Sequence, residues 1–178
     1  GAGVNVLSVE YGLAPESPFP GPVDDAVTAW RYAVEHCAEW GIDPTRIVLL
    51  GDSAGGNISA AVALENMRRG GPALKMQVLV YPGTQLFGEF PSMAENGRGY
   101  LLTSDFIESL RPLIANDVDL SDPWLSPAAA DRLHGLPPAL VITAGFDPIR
   151  DDGLAYNGRL RAAGVAVESL HYPGQFHG

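Results

Sequence analysis

Gly51-Asp52-Ser53-Ala54-Gly55 fits the pattern G-x-S-x-G, in which a tight turn between a strand and a helix lifts a serine hydroxyl above the carboxyl edge of a sheet. A serine hydroxyl is a poor nucleophile until a base takes its proton. The base in turn needs a carboxylate to fix its tautomer and to stabilise its charged form. The chemistry open to such a set is acyl transfer. Composition alone produces a match of this kind in about one chain in seven of this make-up, so a glycine turn with an ordinary capping serine is the competing reading. The residues around the motif must decide.

The partners of such a serine are sought in the chain order serine, acid, histidine. Asp147 lies just beyond an apolar run that ends at Ala144, and His177 follows Pro173-Gly174-Gln175-Phe176, after a run that ends at Tyr172. Asp151 and Asp152 are rival acids, but they sit deeper in a helix start, where a carboxylate also suits the helix dipole. His36 falls within a helical stretch, His134 in an irregular one and His171 inside a strand, where a hydrogen-bonded or solvent-facing role is the ordinary one. His177 stands apart, on a loop that follows a strand, the usual carrier of catalytic groups, against the competing reading of a frayed terminal histidine.

The elements that must position these residues follow from periodicity. Val4 to Val9 is an apolar run that reads as a strand buried on both faces, as in a parallel sheet. After a proline-rich connection, Val23, Ala26, Val27, Trp30, Val34 and Cys37 recur at the spacing of one helical face, with Asp24 and Asp25 in the first turn and Gly41 at the end. Arg46 to Leu50 predicts a second strand and Ala54 to Arg69 a helix whose small opening residues, Ala54, Gly55 and Gly56, suit a strained turn. Met76 to Tyr81 predicts a third strand, Ala139 to Ala144 a fourth and Val165 to Tyr172 a fifth, with an amphipathic helix over Asp151 to Ala163 before the last. Between Gly83 and Pro138 the chain is irregular, with one helix over Thr103 to Ile114, and long excursions of this kind often roof a binding site. Strands alternating with helices imply an α/β fold, a mostly parallel sheet with helical crossovers and helices on both faces. Ser53, Asp147 and His177 then fall at one sheet edge.

Length and composition set the frame. The 178 residues suit a single domain with its own core, 46% hydrophobic and 18% charged. A net charge of −10 disfavours nucleic acid and anionic lipid as partners. No apolar run approaches the roughly 20 residues that a membrane span needs. The single cysteine, Cys37, lies on the apolar helix face and reads as an inert core thiol. Its spacing to the histidines suggests no metal set, and the triad chemistry calls for no cofactor. Composition leaves oligomeric state and localisation unread.

Taken together, these motifs resemble the hormone-sensitive-lipase-like branch of the α/β-hydrolase family, the bacterial esterases built around a GDSAG elbow. Tyr11-Gly12-Leu13-Ala14-Pro15-Glu16 resembles that branch's YRLAPE segment, and Gly51 to Gly56 its GDSAGG. Glu95-Asn96-Gly97, Gly99 to Thr103 and Gly135 to Ala139 are similar to its middle segment. Asp147-Pro148-Ile149-Arg150-Asp151 resembles its DPLRD acid motif, and His177-Gly178 its histidine motif. The resemblance implies a carboxylesterase acting on small-molecule esters, short-chain acyl esters above all, with Ser53, His177 and Asp147 as the triad, and it leans towards a cytoplasmic protein. An amide or peptide hydrolase on the same fold, and a non-catalytic small-molecule receptor of the same family, stand as the alternatives.

Two departures qualify it. Gly12 stands where the branch has arginine. The HGGG segment that supplies most of the family's oxyanion hole does not occur in the 178 residues, which leaves the backbone N–H of Ala54 as the usual donor present. By family topology, a strand between Val4 to Val9 and Ile47 to Leu50 is also missing. The expectation is therefore a catalytic domain that is partial over 1–178, lacking the N-terminal HGGG region and the extreme C-terminus, and nearly inactive by itself. Activity of the intact protein is expected to fall as pH drops through roughly 6.5, the ordinary imidazole value.

Overall fold

The computed structural model describes residues 3–178. Four strands form one parallel sheet in the order β1-β2-β3-β4: Val48–Asp52, Met76–Val80, Ala139–Phe146 and Val167–Phe176. Helix α1 (Gly21–Glu35) precedes β1, α2 (Ala54–Arg68) joins β1 to β2, and α5 (Arg150–Ala162) joins β3 to β4. The long passage from β2 to β3 holds α3 (Pro91–Asn96), α4 (Ser104–Ile114) and a short turn of tighter helix at Pro127–Ala129. No helix among the described residues is long and apolar enough to cross a membrane.

Residue type and register explain the packing. Leu49, Gly51, Gln77, Leu79, Ala139 and Val141 alternate onto one face across three strands, and from Gln77 to Val141 they are at most 1% exposed. Helix α2 packs on this side with Ala60, Ala61 and Ala63 in the core, each 0% exposed, whose small side chains let its neighbours approach closely. Trp30 and Val27 of α1, and Tyr156 and Leu160 of α5, complete the same core. Val48, Leu50 and Leu170 point to the other face and are 42%, 69% and 36% exposed.

Two expectations are corrected. Helices were expected on both faces, yet α1, α2 and α5 all pack on one. The strand order is sequential, and each parallel crossover is right-handed, so every connection returns over the same side of the sheet; both faces are covered only where the order reverses. Val4 to Val9 forms no strand, and Val4, Val6 and Leu7 are 72%, 84% and 58% exposed. An apolar run becomes a strand only when a neighbour takes its N–H and C=O groups, and among the described residues β1 is the edge of the sheet, with no partner on that side. Helix α3 and the turn at Pro127–Ala129 fall in the stretch read as irregular and were not expected. The other expected elements lie within a few residues of their bounds, and β4 runs on to Phe176 through an irregularity in its pairing with β3 between Ala144 and Phe146.

Candidate active site

At the end of β1 the chain must turn at once into α2. Ser53 makes that turn with φ 51° and ψ −117°, a conformation a side-chain-bearing residue adopts only when its surroundings enforce it. Gly51 is what permits it: a Cβ there would lie 2.1 Å from the Gly55 carbonyl oxygen, where the helix folds back on the strand. The Ser53 N–H donates to the Val80 carbonyl at 2.9 Å, tying the elbow to β2. Ala54 opens α2, so its N–H is among the first four that no helical carbonyl can accept.

Strand register brings the other two residues together. Phe146 of β3 pairs with Phe176 of β4, so Asp147 and His177 are the next residues along two adjacent parallel strands. The His177 Nδ1–H donates to Asp147 Oδ2 at 2.8 Å, and the Ser53 hydroxyl donates to His177 Nε2 at 2.8 Å. Because a carboxylate only accepts, this pairing fixes the tautomer that leaves Nε2 free to receive a proton. Asp147 is 0% exposed and its second oxygen, Oδ1, accepts from the Ile149 N–H at 2.9 Å, so neither oxygen is free to rotate away. His177 is 8% exposed. The three residues singled out in the sequence thus form one hydrogen-bonded line.

The rival groups are occupied elsewhere. Asp151 accepts from the Arg150 guanidinium at 2.8 Å and the Ser92 N–H at 2.9 Å, and the guanidinium beside it holds its carboxyl below the usual range. Asp152 accepts from the Thr84 hydroxyl at 2.6 Å, the Thr84 N–H at 2.7 Å and the Gln85 N–H at 3.0 Å. Burial pushes its carboxyl up to about 6, against the pull of those donors. His36 bonds the Tyr32 carbonyl, His134 the Ala163 carbonyl, and His171 shares a hydrogen bond with the Thr143 hydroxyl. Cys37 is buried and its thiol donates to the Ala33 carbonyl.

Sequence reasoning missed the groups that hold the acid in place. Ser92 is 0% exposed; its hydroxyl donates to the Pro148 carbonyl at 2.7 Å and accepts from the Asp151 N–H at 3.1 Å. Asn96 is buried with its amide directed at the Gly145 and Asp147 carbonyls, and Arg150 reaches Glu95 at 2.7 Å. The first part of the 83–138 passage is therefore bound to the turn that carries Asp147. The likeness of Glu95-Asn96-Gly97 to a family segment was the signal available. Gly12 has its own local reason: a Cβ there would lie 2.6 Å from the Ser17 Cβ, and its N–H donates to Asp25 at 2.9 Å.

A family model described as the alpha/beta hydrolase fold matches residues 1–178. The chain belongs to the α/β-hydrolase family. Among relatives of this α/β-hydrolase, carboxylesterase NlhH of Mycobacterium tuberculosis is 45% identical over 100% of the chain and 57% of its own length. An ethyl acetate hydrolase of Pseudomonas putida is 39% identical over 99% of the chain and 56% of its length. Among solved structures, an ester-hydrolase from the metagenome of Lake Arreo, complexed with a bipyridine phosphonate derivative, superposes with a TM-score of 0.90 at 40% identity. The match covers 94% of this chain and 54% of that one. The chain thus spans about half the length of the curated relatives it matches.

Proposed function

We propose that the protein hydrolyses carboxylic esters, short-chain acyl esters among them, through an acyl-enzyme on Ser53. The observation that supports this most directly is the line from Asp147 through His177 to Ser53, with both hydrogen bonds at 2.8 Å. In this reading Ser53 Oγ bonds to the ester carbonyl carbon as His177 Nε2 takes its proton, and Asp147 stabilises the resulting imidazolium. The Ala54 N–H donates to the oxyanion of the tetrahedral intermediate. Collapse breaks the bond to the alkoxy oxygen, which leaves as alcohol with the proton from His177. Water then gives a proton to Nε2 as its oxygen bonds to the acyl carbon; the bond from that carbon to Ser53 Oγ breaks, His177 returns the proton to Oγ, and the acid leaves. The names of the matched relatives, a carboxylesterase and an ethyl acetate hydrolase, support an ester as the substrate class.

An organophosphonate probe and a p-nitrophenyl ester test the proposal. The expected result is a covalent adduct located on Ser53 by mass spectrometry, and loss of both adduct and turnover in Ser53→Ala. Full turnover in Ser53→Ala, or an adduct on another residue, would sink it. Hydrolysis of p-nitroacetanilide in preference to p-nitrophenyl acetate would favour the amide alternative, and no adduct at all a binding protein. Because the chain contains no HGGG run and one lost oxyanion donor costs about 100-fold to 1,000-fold in turnover, the 178 residues by themselves should turn over slowly while still accepting the probe.

A further inference from the structure

Each of the four strands delivers one residue just past its carboxyl end: Ser53 after β1, Tyr81 after β2, Asp147 after β3 and His177 after β4. Three of these are already accounted for. Tyr81 is the fourth, and its backbone is strained in the same sense as that of Ser53, with φ 35° on a bulky residue. Its N–H donates to the Ile142 carbonyl at 2.7 Å, so the turn is held from β3 as the Ser53 turn is held from β2. Sheet order supplies the reason for a side chain here. His177 stands at the end of β4 and must reach Ser53 at the end of β1, so its imidazole crosses the ends of the two strands between. The Tyr81 ring packs against that imidazole in a tilted arrangement, with centroids 4.6 Å apart and an interplanar angle of 52°.

We propose that Tyr81 is a positioning residue whose ring holds the His177 imidazole on the line between Asp147 and Ser53. The proposal rests on the reading of Ser53, His177 and Asp147 as the reacting set. An aromatic ring against an imidazolium attracts the cation through its quadrupole and limits its rotation. The hydroxyl is not the acting group: burial, then the nearby charges of Asp52 and Asp147, push its titration upward from the ordinary phenol range, so it stays protonated. Asp147 bonds the imidazole, Asp52 and Asp147 act on the Tyr81 hydroxyl, and Asp152 lies near Asp147. None of them changes in the variants below.

The test compares Tyr81→Phe, which keeps the ring, with Tyr81→Asn, which tolerates a left-handed backbone but removes the ring. Esterase kinetics across pH are read beside thermal melts, with Ser53→Ala as control. Tyr81→Phe should stay within about two-fold of the parent in kcat. Tyr81→Asn, folded by its melt, should lose about ten-fold or more in kcat at nearly unchanged KM, because the imidazole is no longer held against a ring on the line to Ser53. A Tyr81→Asn protein with the parent's kcat, or one whose loss lies in KM, overturns the proposal, as does a Tyr81→Phe protein that loses as much as Tyr81→Asn. If Tyr81→Asn does not fold, Tyr81→Gly supplies the ringless backbone, and the Tyr81→Phe result still decides. Undiminished turnover in Ser53→Ala would mark failure of the underlying reading and is seen before any Tyr81 variant is made.

Discussion

Asp147 and Asp152 are both buried carboxylates at the start of one turn and helix, but their partners give them different tasks. Asp147 faces an imidazole, whose Nδ1 proton it fixes; Asp152 faces only the hydroxyl and N–H groups of Thr84 and Gln85. Asp147→Asn should therefore lower kcat by about 10⁴-fold, since an amide in that place permits the wrong tautomer, and ester turnover measured against the parent checks it. Asp152 should be visible in stability instead. Its native carboxyl is raised to about 6 from an ordinary 3.8, so between those values the folded protein holds a proton that the unfolded chain has released. Its contribution is fully present below about 3.8 and is lost as pH rises through about 6. Thermal melts from pH 4 to 7 should show that downward contribution in the parent and its absence in Asp152→Asn. That Asp147 rather than Asp152 meets His177 was legible in the sequence, because Asp147 lies just beyond a strand end. The role of Thr84 and Gln85 was not, because they lie 68 and 67 residues from Asp152 and no spacing rule links them.

At the scale of elements, helices were read well because their signals are local. Thr103 caps α4, its hydroxyl accepting from the Phe106 N–H at 3.2 Å, and Thr103→Ala should cost about 1 kcal/mol in urea unfolding. Strand identity is a different matter, since it depends on a partner that the run itself does not contain. Met76 to Val80 and Val4 to Val9 look alike as sequence, yet one is paired on both sides and the other is solvent-exposed coil. The elbow and the acid turn are where elements meet, and both leave little slack. Gly51→Ala would place a methyl against the Gly55 carbonyl and should abolish probe labelling of Ser53 by shifting the turn. Ser92→Ala would strip two hydrogen bonds from a fully buried site and should destabilise the fold by about 1–3 kcal/mol, again read by urea unfolding.

On the scale of the whole molecule, the sequential strand order governs more than which face the helices cover. It also spreads the site across the chain: Ser53 and His177 are 124 positions apart and meet only after β2 and β3 are in place between them, while Asp147 and His177 are 30 apart. Local helices form in microseconds, whereas contacts this distant wait for the loop between them to close. During refolding from urea, helical circular dichroism should consequently return before Ser53 becomes reactive to a phosphonate. Reactivity would report the docking of the last strand, and the Ser53–His177 contact would serve as a clock for that late step.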